Sequence, residues 1–327
     1  MTEFNIKTYL ESKIYSTEIY ISFKNIDELP SLVNFKKLRV LNCSGNNLIT
    51  LPELPENLKE LHCFSNHLIC LPKLPRNLKV LNCKRNNLTV LPELPENLKE
   101  LYCSNNNITI LPELPKNLIY LTCKYNNMSL LPELNENLID LDCSFNKLVM
   151  SPKLPENIKC VDYGCNLLAS LPRLPDGLEI LYCNDNYLTS LPKLPKKLTY
   201  LNCEINKLTR LPRLPPGLIE LYCFCNKIQY LPDLPNRLIN FEYDDNDYYN
   251  IESGCSVHEI KNQIRVLNRF RHLVYSFKCK KRLRDLLWVK VRLPKIQDKY
   301  HPDNLKELLD TINDDDESGF NTAIDAW

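Results

Sequence analysis

From Leu38 to about Asn250 the chain repeats every 20 residues, so regularly that equivalent positions differ by multiples of twenty. The unit reads L-x-x-L-x-C-x-x-N-x-L-x-x-L-P-x-L-P-x-N, as in Leu58 to Asn77 and Leu98 to Asn117. A fixed period of this size specifies a solenoid, in which each unit buries its apolar face only against its neighbours. The period also bounds function, because solenoids present long surfaces and chemistry does not follow from the repeat itself.

Within one unit, Leu58, Leu61 and Cys63 alternate with polar neighbours, which predicts a short strand with one buried face. Stacked units place eleven such strands in a parallel, concave sheet on the order of 50 Å long. Nine cysteines (Cys43, Cys63, Cys83, Cys103, Cys123, Cys143, Cys183, Cys203 and Cys223) share the inward face and are read as small core residues. C-x2-C pairs of the kind that bind zinc are absent. Eleven asparagines, from Asn46 to Asn246 at intervals of 20, follow the strands. Each amide offers a donor and an acceptor to the backbone where the chain leaves the sheet. Twenty of the 23 prolines lie between Pro52 and Pro235. The P-x-L-P return excludes a regular helix and predicts an extended, polyproline-like convex side with Leu54, Leu74 and Leu94 turned inward.

The pattern L-x-x-L-x-C-x-x-N-x-L-x-x-L-P resembles the leucine-rich repeat family, and the short unit with P-x-L-P is similar to its bacterial effector subtype. The resemblance covers about two-thirds of the chain. It implies a curved right-handed solenoid that binds protein on its concave face, and it implies no catalytic residue.

Three regions are expected. Residues 1–37 form an N-terminal helix around Phe4 to Ile14 and a degenerate capping repeat, in which Ile19, Ile21 and Ile26 recur at a 22-residue offset with Lys24 at the asparagine position. Residues 38–250 form the solenoid, whose last unit loses its pattern to Phe241, Tyr243, Asp244 and Asp245. Residues 251–327 form a helical C-terminal cap. From Ile251 to His301 it carries 13 basic and 4 acidic residues, and an acidic tail follows with a last helix from Pro302 through Leu309. Tyr300-His301-Pro302-Asp303 echoes the J-domain signature, but Pro294 is expected to interrupt the helix that such a domain needs before it. Val291-Arg292-Leu293-Pro294-Lys295 and Tyr300 to Leu305 resemble C-terminal segments of giant-virus proteins. Few alanines and abundant Asn, Lys, Ile and Tyr agree with an AT-rich genome of that kind.

A net charge of +1 gives the whole molecule no strong pull toward nucleic acid or membrane. Met1 to Leu10 lacks the apolar core of a signal peptide, and no apolar stretch has the length of a membrane span, so a soluble intracellular protein is expected. The binding surface is sought among residues that do not repeat. Tyr182, Tyr200, Tyr222 and Phe224 are predicted to form one outward aromatic patch, with Tyr102 and Tyr120 as further contacts for a protein partner, a host protein if the chain is viral. Phe64, Tyr125 and Phe145 also face outward. Asp140, Asp142 and Asp162, with Asp185 nearby, form an acidic spot read as a solvated face. Two alternatives are an electrostatic binder of nucleic acid or anionic membrane through Lys261, Arg265, Arg269 and Lys280, and an adaptor for host ubiquitination. Cys160-Val161-Asp162 has the letters of the Cys-x-Asp nucleophile of effector ubiquitin ligases but lies inside a repeat. No enzyme, cofactor, metal site or small-molecule substrate is expected.

Overall fold

The computed structural model describes residues 5–247 and 256–295. A short helix α1 (Ile6–Glu11) opens the chain, its N-cap Asn5 accepting the Thr8 amide at 3.2 Å. Three-residue strands then recur: β1 (Glu18–Tyr20), β2 (Val40–Asn42), β3 (Glu60–His62), β4 (Val80–Asn82), β5 (Glu100–Tyr102) and β6 (Tyr120–Thr122). They continue as β7 (Asp140–Asp142), β8 (Cys160–Asp162), β9 (Ile180–Tyr182), β10 (Tyr200–Asn202), β11 (Glu220–Tyr222) and β12 (Asn240–Glu242). All pair in chain order into one parallel sheet. The sheet has twelve strands rather than eleven, because the capping repeat contributes β1 in full register, Glu18 opposite Val40.

Each strand turns its central residue inward. Leu61, Leu81, Leu101 and their equivalents are buried, as is the whole cysteine column. Burial pushes the thiols of Cys43 and Cys83 up to about 12, so the column is inert packing rather than a row of nucleophiles. At position 163 the column holds a tyrosine. Its ring is fully buried, and its hydroxyl hydrogen-bonds Ser151, which stands where other repeats carry the leucine of Leu-Pro. The large ring and the small serine are compensating changes in one layer of the core. The unit around β12 likewise keeps the fold: Phe241 and Tyr243 take the Leu and Cys positions, their rings stacked at 4.8 Å.

The asparagine column joins one turn to the next. Asn126 accepts the amide of Ile108, one turn back, at 3.0 Å. Its Nδ2 donates to the carbonyls of Cys103 and Cys123, at 3.1 and 2.9 Å. The same set recurs from Asn66 to Asn246. At the first turn, where Lys24 replaces the asparagine, the Lys24 and Ile26 amides still donate to Asn46 Oδ1. To aim each amide the preceding residue adopts a left-handed backbone, with φ between 49° and 57° from Ser65 to Asp245. Only the first of these positions is glycine: Gly45 has φ 64°, and a Cβ there would lie 2.3 Å from the Phe23 ring.

The return segments contain no helix or strand; Leu74 and Leu94 are buried, while Leu54 is partly buried against the same core. Each ends in a tight turn, as where the Leu58 amide donates to the Pro55 carbonyl at 3.1 Å. A second asparagine row, Asn57 to Asn157, donates across turns, Asn117 Nδ2 reaching the Glu96 carbonyl at 2.9 Å.

The chain divides into two compact units, Met1–Ile264 and Arg265–Trp327. Helix α2 (Val257–Leu287) begins in the first with a capping box: Glu259 accepts the Ser256 amide at 2.8 Å while Ser256 Oγ accepts the Glu259 amide at 3.4 Å. Ile260 and Ile264 are buried, and Lys261 donates to the carbonyls of Asn236 and Leu238 at 3.1 and 2.8 Å. Those carbonyls border the last strand, so the start of α2 closes the open end of the solenoid. Pro294 does not interrupt the helix: a π-helical segment, Trp288–Arg292, follows α2, and residues 293–295 remain helical. A wider turn accommodates a residue that has no amide to donate. The expected helix from Pro302 to Leu309 and the acidic tail lie outside the described residues.

Two substitutions test this construction. Asn126→Ala removes the partner of one buried amide and two buried carbonyls, and should lower stability by about 1–3 kcal/mol in urea melts. Ile205 is β-branched at φ 50° and half-exposed. Ile205→Asn, which tolerates that backbone, should raise stability by about 1 kcal/mol; a loss would show that the left-handed turn carries no strain.

Candidate protein-binding surface

On either side of each buried strand leucine, the first and third residues face out of the sheet. Because neighbouring strands are in register, side chains at these positions meet their counterparts about 4.8 Å away. Tyr182, Tyr200 and Tyr222 meet instead on the diagonal, from the third, first and third positions of β9, β10 and β11. Tyr200 sits opposite Ile180 and Glu220, and its ring fills the diagonal between the other two, with centroids 4.6 Å from Tyr182 and 5.6 Å from Tyr222. Burial beneath its neighbours, then the proximity of the Tyr182 hydroxyl, raises the pKa of Tyr200. The Tyr222 hydroxyl donates to Glu220 at 2.8 Å, and Asn240 donates to the same carboxylate at 3.2 Å. That hydrogen bond is the first cause of the raised Tyr222 pKa. Three tyrosines on three consecutive strands thus form one partly covered surface, with one hydroxyl held by a carboxylate.

The other predicted contacts fall elsewhere. Phe224 follows β11 and is half-buried, and among the described residues no ring contact joins it to the tyrosines. Tyr102 lies on β5, its hydroxyl donating to Glu100 at 2.8 Å and its ring under Lys84 Nζ at 4.7 Å. Burial and then the Glu100 hydrogen bond push its pKa up to about 12. Tyr120 is exposed at the start of β6 and opposes Glu100 rather than Tyr102. A second aromatic pair, Tyr125 and Phe145, stacks with ring centroids 4.0 Å apart. Both occupy left-handed turn positions and stand 46% and 42% exposed. Their 20-residue separation was the sequence signal for that pairing.

Asp142 opposes Asp162, and Asp140 lies on the same strand as Asp142. Asp142 is tied to Lys124 at 3.3 Å, and Asp162 accepts the Gly164 amide at 2.8 Å. Burial raises Asp140 and pushes Asp162 up to about 6, the nearby Asp142 charge adding to both. Asp185 stands apart, in the turn after β9. Among the described residues no group of His, Cys, Asp and Glu is arranged to hold a metal ion. Cys160, the outward first residue of β8, has its thiol pushed up to about 12 by burial and by Asp140, which makes it a poor nucleophile.

Lys261 is engaged in capping the solenoid rather than presented to a ligand, and burial lowers its pKa. Arg265, Arg269 and Lys280 are exposed on α2. No helix among the described residues is long and apolar enough to cross a membrane. A row of cations escaped the sequence reading. Arg39, Lys59, Lys79 and Lys99 each precede a strand, and reading the column at intervals of 20 would have found them.

The profile described as Leucine Rich Repeat matches residues 37–61 and 97–118. Over 76% of this chain and 89% of the other, the protein is 30% identical to YopM, a leucine-rich effector protein from Yersinia pestis, with a TM-score of 0.53. The chain belongs to the leucine-rich repeat family. It is also similar to YopM from Yersinia enterocolitica WA-314, with 37% identity over 72% of this chain and a TM-score of 0.71. It spans about half of that protein's length, 53%. No curated protein matches the chain.

The raised Asp162 pKa makes a signed prediction. Between about pH 4 and pH 6 the folded carboxyl holds a proton that the unfolded one releases, so this group's contribution to stability is lost as pH rises through the window. Asp162→Asn keeps the acceptor for Gly164 and matches Asn42, Asn82 and Asn202 at the equivalent position. The variant should be about 1–2 kcal/mol more stable than wild type at pH 7 and show no gain at pH 4, after discounting for partial exposure. A gain that does not change with pH would remove burial of charge as the cause.

Proposed function

We propose that this leucine-rich repeat protein is a non-catalytic scaffold that binds a protein partner on the face of its sheet, with Tyr182, Tyr200 and Tyr222 as the contact centre. The observation that carries this reading is the continuous tyrosine surface over three strands, with centroid separations of 4.6 and 5.6 Å. Tyrosine joins a large apolar area to a polar tip, and rings already packed on one another lose little rotamer freedom on binding. Phe224, Tyr102 and Tyr120 are secondary contacts along the same concave side. Repeat solenoids use such extended surfaces for binding, and similarity to YopM, described as an effector, supports a protein partner. Action inside cells, on a host protein, belongs to the same proposal. The giant-virus origin rests on the C-terminal segment and composition alone.

An electrostatic reading through α2 has less support, since Lys261 is taken up by backbone carbonyls.

The test is affinity purification from expressing cells with wild type, Tyr200→Ala and Tyr222→Ala, read by quantitative mass spectrometry. A protein recovered with wild type should fall about tenfold or more with each variant while unfolding midpoints stay close. Equal recovery in all three would sink the tyrosine centre.

A further inference from the structure

The residue before each strand is a cation in four successive turns: Arg39, Lys59, Lys79 and Lys99. The backbone stacks them directly. The Lys59 amide donates to the Arg39 carbonyl at 2.7 Å, Lys79 to Lys59 at 2.7 Å, and Lys99 to Lys79 at 2.8 Å. With turns about 4.8 Å apart the row runs about 14 Å along one edge of the sheet. Beyond it the column changes to Ile119 and Ile139. Where a cation recurs, at Lys159, the next turn supplies Glu179, and the two pair at 2.9 Å. The fold can therefore neutralise a cation in this column with a carboxylate one turn on, and in the first four turns it does not.

Two more lysines extend the charge. Lys36 and Lys37 join Arg39 and Lys59 around a cavity of about 500 Å³, completed by Thr17, Asn57 and Asn77. No carboxylate lines it. Among the described residues none of these six cations forms an ion pair. Like charges on directly opposed positions repel, and the one ring contact among the six, Lys37 Nζ over Tyr15 at 5.8 Å, leaves the charge in place. A ligand with several clustered negative charges would relieve the repulsion. One carboxylate would neutralise a single cation, whereas a group of phosphates matches four cations around one cavity and two more along the row. A long single strand of nucleic acid would need a track of charge well beyond the 14 Å available.

We propose that the cavity at Lys36, Lys37, Arg39 and Lys59, with Lys79 and Lys99 beside it, binds a multiply phosphorylated group, whether a free polyphosphate or a phosphoinositide headgroup. This site does not depend on the tyrosine surface. Its readout is separate from partner recovery, so either proposal can fail alone.

The test uses the full chain and sodium tripolyphosphate at fixed ionic strength, followed by titration calorimetry and thermal unfolding. Wild type should bind saturably, and its Tm should rise by about 5 °C at a hundredfold excess over Kd. Lys37→Gln/Lys59→Gln should weaken binding at least tenfold. Lys59→Arg and Tyr200→Ala should bind as wild type does, and so should Arg265→Gln/Arg269→Gln. Unfolding midpoints without ligand check that each variant folds; should the double glutamine variant fail to fold, Lys59→Gln alone carries the test. Cosedimentation with phosphatidylcholine vesicles containing phosphatidylinositol bisphosphate, but not with phosphatidylcholine alone, would identify a lipid headgroup as the source. Tripolyphosphate binding without such cosedimentation would identify a free ligand. The proposal is overturned if sulfate gives the same rise in Tm, if the Lys37 and Lys59 changes leave affinity intact, or if a single-stranded oligonucleotide binds while tripolyphosphate does not.

Discussion

From the second turn on, each turn of this molecule depends on an asparagine amide, buried from Asn46 to Asn226, that bonds to two turns at once. The carboxamide is suited to that position because it is donor and acceptor together. Asn126 takes an amide from the previous turn and gives its own protons to carbonyls of both turns. A carboxylate could accept but not donate, and a lysine could donate but not accept. The arrangement also explains the left-handed residue before each asparagine. Residues as varied as Arg85, Tyr125, Ile205 and Asp185 share nearly one φ there, so the asparagine's bonds between turns outweigh local preference.

With the turns tied together, the core can vary one layer at a time. Tyr163 and Ser151 exchange bulk within a layer, and Phe241 and Tyr243 replace a Leu and a Cys at the last strand without loss of pairing. Each substitution is absorbed where it occurs because a unit touches only its neighbours. The two ends are closed by different means. At the first, α1 buries Leu10 in the core; at the other, α2 buries Ile260 and Ile264 while Lys261 reaches the carbonyls beside the last strand.

Most of this was legible in the sequence, and for one reason. A period of 20 puts residues of like role into columns, so strand, inward cysteine and asparagine ladder followed from spacing before any coordinates. What spacing did not give were the exceptions that need three dimensions. The capping repeat has a 22-residue offset, yet β1 pairs in full register. Pro294 read as a break, but a π-helical turn carries the chain past it. Among the predicted contacts Tyr182, Tyr200 and Tyr222 meet, whereas Phe224 does not, because it lies beyond the strand where the chain is already turning away. The cation row went unread because lysine before a strand looks like ordinary surface in any single repeat, and only the column shows four in succession.

The same register governs what the surface can hold. Side chains in one column are fixed about 4.8 Å apart, so each column compounds the interaction of like with like. The tyrosines of β9 to β11 alternate between two columns and meet on the diagonal, with centroids 4.6 and 5.6 Å apart, a separation at which aromatic rings attract one another. Aspartates at that separation repel, and here the fold responds: Asp142 has Lys124, and Asp162 is left with a raised pKa. Arg39 to Lys99 also repel and receive no such response, although Lys159 and Glu179 show that the column can provide one. A solenoid that neutralises one cation of a column and leaves four others facing each other has placed its uncompensated charge at one end. Uncompensated cations at one end suit an anion, and packed tyrosines suit a partly apolar partner, so the two proposals rest on different chemistry along one scaffold.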